Sequence, residues 1–299
     1  MNPINTLIVR TLPLVPRPVV RLVASRYVAG ETLDDAIRAV RHLNSEGCMA
    51  TLDVLGEDVT NLSETDETVS DYLEALEAIL AQRLDSNISV KLTAYGLKLD
   101  PALCRRQFRR VLDQARDRGV FVRIDMEDSS VTEETIRIYE ESRRQTDRVG
   151  LVLQAYLRRS RADVERLAPL RPNVRVCKGI YVEPAQIAFQ GAEEIRDNYM
   201  AIVEDLFDAG SYVGIATHDD VLVERALATI RKRGLPREAY EFQMLLGVAV
   251  HLRRRLVSDG HRLRVYVPFG RSWHAYSLRR LKENPSIAGQ IVKGFLRRG

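Results

Sequence analysis

The chain has 299 residues, of which 45% are hydrophobic and 29% are charged, a composition that supports a sizeable core and excludes intrinsic disorder. The 45 basic residues nearly cancel the 41 acidic ones, so we expect no nucleic-acid partner. No apolar run approaches the roughly 18 residues that a membrane span requires, and three scattered cysteines indicate a reducing compartment, so we expect a cytoplasmic protein.

Residues 1–43 precede the first predicted strand and are expected to form a helical extension. Within it, residues 31–47 predict a helix that ends at Gly47, because glycine readily adopts the left-handed conformation that follows many helices. We expect this extension to cover the floor or flank of a catalytic domain formed by residues 44–299.

Eight apolar segments rich in β-branched residues follow in chain order and predict strands. They are residues 48–56, 88–96, 120–127, 149–156, 174–181, 212–219, 240–247 and 263–270. The predicted helices between them are residues 63–84, capped by Ser63, and residues 101–118, 132–144, 184–209, 221–233 and 248–258. This alternation predicts an α/β fold of the (β/α)8 TIM-type barrel class, with an open doubly wound sheet as the structural alternative.

Polar residues at the ends of these strands are candidate site residues, because barrel enzymes hold their active sites at the C-terminal ends of the strands. A charge inside a buried strand is costly unless it is paired or faces a ligand. Pairing among the candidates, for example of Lys91 with Asp125, remains open. The candidates are Asp53, Lys91, Asp125, Gln154, Arg175, Lys178, Thr217, His218, Gln243 and Tyr266.

The stretch "SWHAYSLRRLKENP" predicts a helix from near Ser272 that closes at Pro285. Residues three, four and seven positions apart share a face of such a helix, and here they are Tyr276, Arg279, Arg280 and Glu283. Two adjacent guanidinium groups can form forked hydrogen bonds to a carboxylate or phosphate. Together with the cationic candidates they indicate an anionic substrate, and Glu57 and Glu283 are suited to neutralise the arginines when the site is empty.

Several common chemistries are absent from the sequence. There is no GxGxxG motif, no P-loop and no GxSxG motif, which removes the commonest dinucleotide, nucleotide and serine-hydrolase interpretations. His218 lacks a second histidine at ligand spacing, so we expect it to form hydrogen bonds, and we predict no metal. Two alternatives stay open: a Schiff-base enzyme that uses Lys91 or Lys178, and a barrel that binds an amino acid or a flavin without turnover.

The chain resembles the proline dehydrogenase family in its monofunctional bacterial form. The resemblance runs through all eight predicted strands, and its motifs are "LDVLGE", "SVKLTAYG", "RIDMED", "LQAY", "VRVCKGIY", "IATHD", "EFQMLLG" and "YVPFG" followed by "RRLKENP". It implies a barrel that binds FAD and oxidises L-proline to 1-pyrroline-5-carboxylate by hydride transfer to flavin N5. It also implies that a quinone accepts the electrons, in the first step of proline catabolism.

The resemblance also assigns roles to individual residues. The residues implied to bind the substrate are Lys91, Leu245, Tyr266, Tyr276, Arg279 and Arg280. Asp125 and Arg175 are implied to be catalytic, with Arg175 beside flavin N5. The residues implied to line the FAD are Met126, Gln154, Arg175, Lys178, Gly179, Ile180, Thr217 and His218. A gate is implied for Asp53, Glu57 and Glu283, in which an acidic residue pairs with Arg280 as the pocket closes.

Two positions depart from the family pattern: Ile180 stands where alanine is common, and Leu246 where tyrosine is frequent. Both leave flavin binding and the tolerated ring size open. A quinone acceptor implies transient peripheral contact of a cytoplasmic protein with the inner face of the membrane. The oligomeric state is left open by the sequence.

Overall fold

The structure is a computed structural model that describes Val20, Arg21 and residues 24–283, without the side chains of residues 279–283. Its strands are β1 (Met49–Val54), β2 (Ser86–Val90), β3 (Val122–Ile124), β4 (Val149–Gln154), β5 (Asn173–Cys177), β6 (Tyr212–Ala216), β7 (Tyr240–Leu245) and β8 (Leu263–Phe269). They form a closed parallel barrel in chain order, in which β1 also pairs with β8. The predicted (β/α)8 barrel is therefore confirmed, and the open sheet is excluded.

Helices follow the strands on the outside of the barrel. They are α1 (Leu33–Ser45), α2 (Glu64–Ala81), α3 (Pro101–Asp117), α4 (Ser129–Arg143), α5 (Ser160–Leu167), α6 (Ala192–Asp208), α7 (Asp220–Arg233), α8 (Val250–Ser258) and α9 (Trp273–Glu283). Within residues 20–21 and 24–283, no helix is both long enough and apolar enough to span a membrane.

The predicted helices differ most from the structure at three points. Helix α5 was not predicted, and α6 begins at Ala192 rather than at residue 184. Residues 187–189 pair with residues 156–158, including a bridge between Leu157 and Ala188, and this pairing prevents an earlier helix start. Ser63 precedes α2, but its side chain makes no capping hydrogen bond, so that part of the prediction was wrong.

Side-chain caps fix the entry of several other helices. Thr32 and Asp35 form a reciprocal capping box at the start of α1. The Asp100 carboxylate accepts from the backbone N–H groups of Ala102 and Leu103 at 2.9 and 3.0 Å, and Pro101 occupies the first turn of α3. These local signals explain why the strand-to-helix turns lie where the sequence pattern places them.

Helix α1 packs against β1 and β8 through its buried residues Ala36, Ile37, Val40 and Leu43. It runs across the predicted boundary at residue 43, and the division into an extension of residues 1–43 and a barrel of residues 44–299 stays a prediction. About half of that extension, residues 1–19 with 22 and 23, lies outside the described residues.

The strands alternate between an apolar face toward the helices and a polar face toward the barrel axis. The apolar side chains join those of the helices in one large core. The polar ones include Thr51 and Asp53 of β1, Asn87 and Ser89 of β2 with Lys91 after it, Arg123 of β3, Glu241 and Gln243 of β7, and Arg264 and Tyr266 of β8. Barrel interiors usually hold layers of valine, isoleucine and leucine. Here the interior is instead a network of hydrogen bonds and charges.

Candidate active site

A cavity of about 600 Å³ opens at the C-terminal ends of the strands. It gathers most of the predicted site residues: Lys91, Asp125, Met126, Gln154, Arg175, Lys178, Gly179, Ile180, Thr217, His218, Leu245, Tyr266 and Tyr276. It is also lined by the candidate Gln243 and by residues that were not assigned to the site: Val152, Cys177, Tyr181, Ala216, Asp219 and Met244. The position of these residues in the C-terminal part of a strand or just after it was the available signal, because strand ends converge at one mouth.

Lys91 is the buried cation at one side of this cavity. Its Nζ donates to Asp53 Oδ1 at 2.6 Å and to the Tyr266 hydroxyl at 3.3 Å, and it lies 3.7 Å from Glu57 Oε2. Burial by itself would lower the pKa of Lys91, but the Asp53, Glu57 and Asp125 carboxylates outweigh burial and raise it. Lys91 is therefore protonated, which argues against a Schiff-base role for it.

Asp53 lies beneath Lys91 and is fully buried. Burial raises the pKa of its carboxyl group to about 6, and the charge of Lys91 limits that rise. The two groups therefore form a buried ion pair at neutral pH. The partner predicted for Lys91 was Asp125, which lies farther away, with Oδ2 at 3.9 Å from Nζ.

Asp125 accepts three hydrogen bonds that fix its carboxylate. The donors are Ser89 Oγ at 2.6 Å, Arg175 Nη1 at 2.7 Å and the Tyr266 hydroxyl at 2.7 Å. Burial, together with the charge of Asp125, raises the pKa of Tyr266 well above its ordinary value, so its phenol remains a donor. The Arg175 guanidinium also lies 5.1 Å from the centre of the Tyr266 ring, a cation–π distance. Asp125, Arg175 and Tyr266 therefore form one hydrogen-bonded unit at the centre of the mouth.

This network continues along the barrel axis toward the floor. Arg175 Nε donates to Gln243 Oε1, and Gln243 Nε2 donates to Glu241 Oε1 at 2.6 Å. Burial would raise the pKa of Glu241, but Arg264 at 2.8 Å lowers it to about 2. Gly214 makes room for this chain, because a Cβ there would lie 2.6 Å from Gln243 Nε2. The position of Arg175 therefore depends on groups deep inside the barrel.

The opposite wall of the cavity is formed by the segment after β5. Gly179 has a φ of +108°, and a Cβ there would lie 2.1 Å from Cδ1 of Tyr156. Both the conformation and the space therefore require glycine. Lys178 beside it pairs with Asp219, which also accepts from Arg196 at 2.8 Å. Burial opposes ionisation of Asp219, but its two cationic partners lower the pKa to about 2.

Two further predicted residues are held by backbone groups. His218 Nε2 accepts from the Leu245 N–H at 2.9 Å, which agrees with the expected hydrogen-bonding role. Gln154 Nε2 donates to the carbonyl oxygen of Glu127 at 2.8 Å. Neighbouring strand ends are thereby linked around the rim of the cavity.

The predicted arginine clamp and gate are only partly covered by the structure. Arg279, Arg280 and Glu283 belong to α9, but their side chains lie outside the described residues. Glu57 lies near Lys91, and Asp53 is paired with Lys91 in the interior. The pairing of an acidic residue with Arg280 as a gate stays a prediction.

Glu127 is a second buried carboxyl group next to the mouth. It accepts from the Thr93 backbone N–H at 3.1 Å and from the Thr93 hydroxyl. Burial outweighs these hydrogen bonds and raises its pKa from 4.5 to about 7. The folded state therefore binds this proton more tightly than the unfolded state does.

Replacing Glu127 with glutamine should make the stability of the protein less sensitive to pH. Between pH 4.5 and 7 the folded wild type holds a proton that the unfolded chain has lost, so its stability falls as pH rises. Relative to Glu127→Gln, the wild type should lose about 3 kcal/mol of unfolding free energy across this interval. Urea denaturation of both proteins at several pH values measures the difference.

The control for this prediction is Glu133→Gln. Hydrogen bonds from Arg159 and Arg166 lower the pKa of Glu133 to about 2, so it is ionised in both states above pH 4.5. The difference in unfolding free energy between Glu133→Gln and the wild type should stay constant between pH 4.5 and 7. A constant difference for Glu127→Gln as well would contradict the assigned protonation of Glu127.

Comparison with known proteins places this cavity in a family context. Residues 36–293 match the family model described as proline dehydrogenase. "Proline dehydrogenase 1" of Bacillus subtilis subsp. natto is 36% identical over 278 residues, which cover 93% of this chain and 92% of the relative. "Proline dehydrogenase" of Deinococcus radiodurans is 36% identical over 279 residues, which cover 92% and 90% of the two chains.

A solved structure agrees with these sequence matches. Proline utilization A (PutA) from Bdellovibrio bacteriovorus, inactivated by N-propargylglycine, superposes with a TM-score of 0.81 at 25% identity. The match covers 91% of this chain and 34% of the other, so this chain spans about a third of that longer protein. Since the family model matches most of the chain, and relatives of similar length share more than a third of its residues, the protein belongs to the proline dehydrogenase family.

Proposed function

We propose that this protein oxidises L-proline to 1-pyrroline-5-carboxylate with FAD as the electron acceptor, in the first step of proline catabolism. The observation that carries the proposal is the buried, protonated Lys91 beside the Tyr266–Asp125–Arg175 unit at one end of an otherwise largely apolar cavity. A substrate with a small ring and one carboxylate matches this cavity. The cationic end would face the carboxylate, and the apolar remainder of the cavity would face the ring. Membership of the family supports the choice of proline.

The residues of the cavity fit a flavin. Val152 and Met244 are apolar, buried lining residues suited to contact a flat ring system, and Gly179 lets the backbone approach closely. Gln154, Arg175 and Lys178 supply polar groups suited to the edge of such a ring. When bound, FAD supplies a two-electron acceptor for the hydride that leaves the substrate. We propose that it is held by these residues together with Met126, Ile180, Thr217 and His218.

On this proposal, the chain's own residues bind and orient the substrate. Lys91 holds the substrate carboxylate, and Arg279 and Arg280 of α9 complete the clamp. The Tyr266 ring limits the access of water to one side of the substrate, and its hydroxyl is fixed by Asp125. Holding the carboxylate at several points fixes the direction of the C–H bond that must break.

Asp125 and Arg175 shape the electrostatics of the reaction. The Arg175 guanidinium is held by Asp125 and Gln243, and its charge can stabilise negative charge that develops on the acceptor side of the cavity. The Asp125 carboxylate balances this positive charge and holds Tyr266 and Arg175 in place through hydrogen bonds. We assign both residues a catalytic role for this reason.

We further propose that a quinone removes the electrons at the segment after β5. Ile180 lines the cavity and is 42% exposed, and Val182 is 98% exposed, so apolar surface adjoins the mouth. Apolar side chains exposed next to a redox site suit a hydrophobic electron acceptor. The same surface supports transient contact with a membrane that carries the quinone.

One spectroscopic experiment tests the substrate, the cofactor and the acceptor together. Purified protein should be yellow, should bleach when L-proline is added without oxygen, and should recover its colour when a soluble quinone analogue follows. Protein that stays colourless after incubation with FAD would contradict the proposal. Protein that is yellow but unchanged by proline would support the alternative of a flavin-binding barrel without turnover.

Treatment with sodium borohydride tests the remaining alternative, a Schiff-base enzyme. A Schiff-base enzyme would become covalently labelled when a carboxylated carbonyl substrate is added with borohydride, because reduction traps the imine. We expect no mass increase at Lys91 or Lys178. The expectation for Lys91 rests on its ion pair with Asp53, which stabilises the protonated amine.

A further inference from the structure

A second cavity lies at the floor of the barrel, where the strands begin. It has a volume of about 590 Å³, similar to that of the mouth cavity. Its lining comes from the starts of β2, β3, β5, β6, β7 and β8 and from the loops before them. Six arginines line it: Arg83, Arg118, Arg123, Arg148, Arg262 and Arg264. The lining carboxylates are Asp85 and Glu241, so the cavity wall has a net positive charge.

Most of this positive charge is not compensated by neighbouring carboxylates. Glu241 is paired with Arg264 at 2.8 Å, which neutralises both. In the described part of the chain, Arg83, Arg123, Arg148 and Arg262 have no carboxylate within 4.0 Å. Elsewhere on the surface arginines commonly pair with acidic residues, as Arg166 does with Glu133 and Glu140. What distinguishes the cavity is that four such guanidinium groups line one enclosed space.

Arg123 gives this charge a buried anchor. Its side chain is among the largest fully buried ones, with 1% of the residue exposed. Nη1 donates to the carbonyl oxygens of Leu151 and Asn173 at 2.9 and 2.7 Å, but Nε has no hydrogen-bond partner among the described residues. An unsatisfied buried charged donor is costly, and the Arg123 guanidinium places a fixed positive charge in the cavity wall.

Two rim arginines extend from other segments, Arg148 before β4 and Arg262 before β8. Arg148 Nη1 donates to the Gly119 carbonyl oxygen at 2.9 Å, which holds the side chain toward the segment before β3. Arg262 lies 5.7 Å from the centre of the Tyr212 ring and is held there by a cation–π contact. Both side chains are oriented without a counter-ion, so their remaining donors are available to an anion.

We propose that the floor cavity binds a small multivalent oxyanion, a phosphorylated or polycarboxylated metabolite. The guanidinium groups form planar pairs of donors that match the oxygens of phosphate and carboxylate groups, and no lysine lines the cavity. The cavity volume lies within the range of about 300–1,000 Å³ that is usual for small-molecule sites. Several separated arginines require a ligand with more than one anionic group.

Isothermal titration with inorganic pyrophosphate at fixed ionic strength tests this site. The wild type should bind one equivalent, and Arg148→Gln/Arg262→Gln should bind at least tenfold more weakly. Arg254→Gln is the matched control, because this exposed arginine lies on α8 and does not line the cavity. It should keep the wild-type affinity.

A parallel titration with citrate distinguishes the two ligand sources. Stronger binding of pyrophosphate indicates a phosphorylated ligand, and stronger binding of citrate indicates a polycarboxylate. Absence of binding of both probes to the wild type would overturn the proposal, as would equal affinity of Arg148→Gln/Arg262→Gln and wild type. Should that variant fail to fold by circular dichroism, Arg83→Gln/Arg118→Gln provides the same test on separate segments of the rim.

Discussion

Replacing Lys91 with methionine is expected to lower the unfolding free energy by about 3–5 kcal/mol at pH 7, the range for breaking one side of a buried ion pair. The fully buried Asp53 would lose the cation that now lies 2.6 Å from its Oδ1, while its Oδ2 already has no hydrogen-bond partner among the described residues. The loss should shrink as pH falls from 7 toward about 6, because Asp53 of the variant lacks the cation that limits its pKa and takes up a proton at a higher pH than wild-type Asp53 does. Urea denaturation at pH 7 and pH 5 measures both effects.

Two variants isolate the cause of this loss. Asp53→Asn/Lys91→Met removes both charges, so it should be more stable than Lys91→Met alone. Lys98→Met is the matched surface control, since Lys98 pairs with Asp58 and Asp128 where all three side chains are at least 30% exposed, and it should change stability by at most about 1 kcal/mol. If the double variant were as unstable as Lys91→Met, the ion pair would not be the origin of the effect.

Replacing Gly179 with alanine is expected to leave a folded protein that retains at least tenfold less FAD. The new Cβ would lie 2.1 Å from Cδ1 of Tyr156, and alanine is strained at a φ of +108°. Either the Tyr156 ring or the backbone of residues 178–180 must move, and that backbone segment lines the cavity. The ratio of flavin to protein absorbance after gel filtration, followed across a titration with added FAD, measures the loss.

Gly210→Ala is the control for backbone strain. Gly210 also has a positive φ, +67°, but a Cβ there would meet no atom within 4 Å. That variant should keep its full flavin content and lose only a little stability. Tyr156→Ser/Gly179→Ala removes the clashing ring and should recover part of the flavin. Full retention of FAD by Gly179→Ala would show that this wall does not contact the cofactor.

Most of the fold could be predicted because each strand is an apolar run bounded by turn residues. Helix α5 was missed because "SRADVERL" is short and rich in charged residues. The start of α6 was placed too early because residues 187–189 pair with residues 156–158. Such pairing depends on tertiary contacts that a local pattern does not encode.

The cavity residues could be predicted by type and position, but their partners could not. Lys91 and Tyr266 are hydrogen-bonded across 175 residues of sequence, and Tyr266 and Asp125 across 141. Barrel closure brings these groups together, and only the three-dimensional register shows that Asp53 is the nearest partner of Lys91. The floor arginines were overlooked, although Arg123 and Arg264 alternate with apolar neighbours at strand periodicity.

The polar barrel interior also affects how the mouth responds to charge. Asp125, Arg175 and Gln243 are hydrogen-bonded to one another or to groups anchored in other strands, so their dipoles cannot reorient as freely as those of water. Their orientation is established when the chain folds, and little reorganisation energy is needed when charge shifts during a reaction. Because the surrounding dielectric is low, a substitution deep in the barrel, for example at Glu241, should change the electric field at the mouth as well as the position of Arg175.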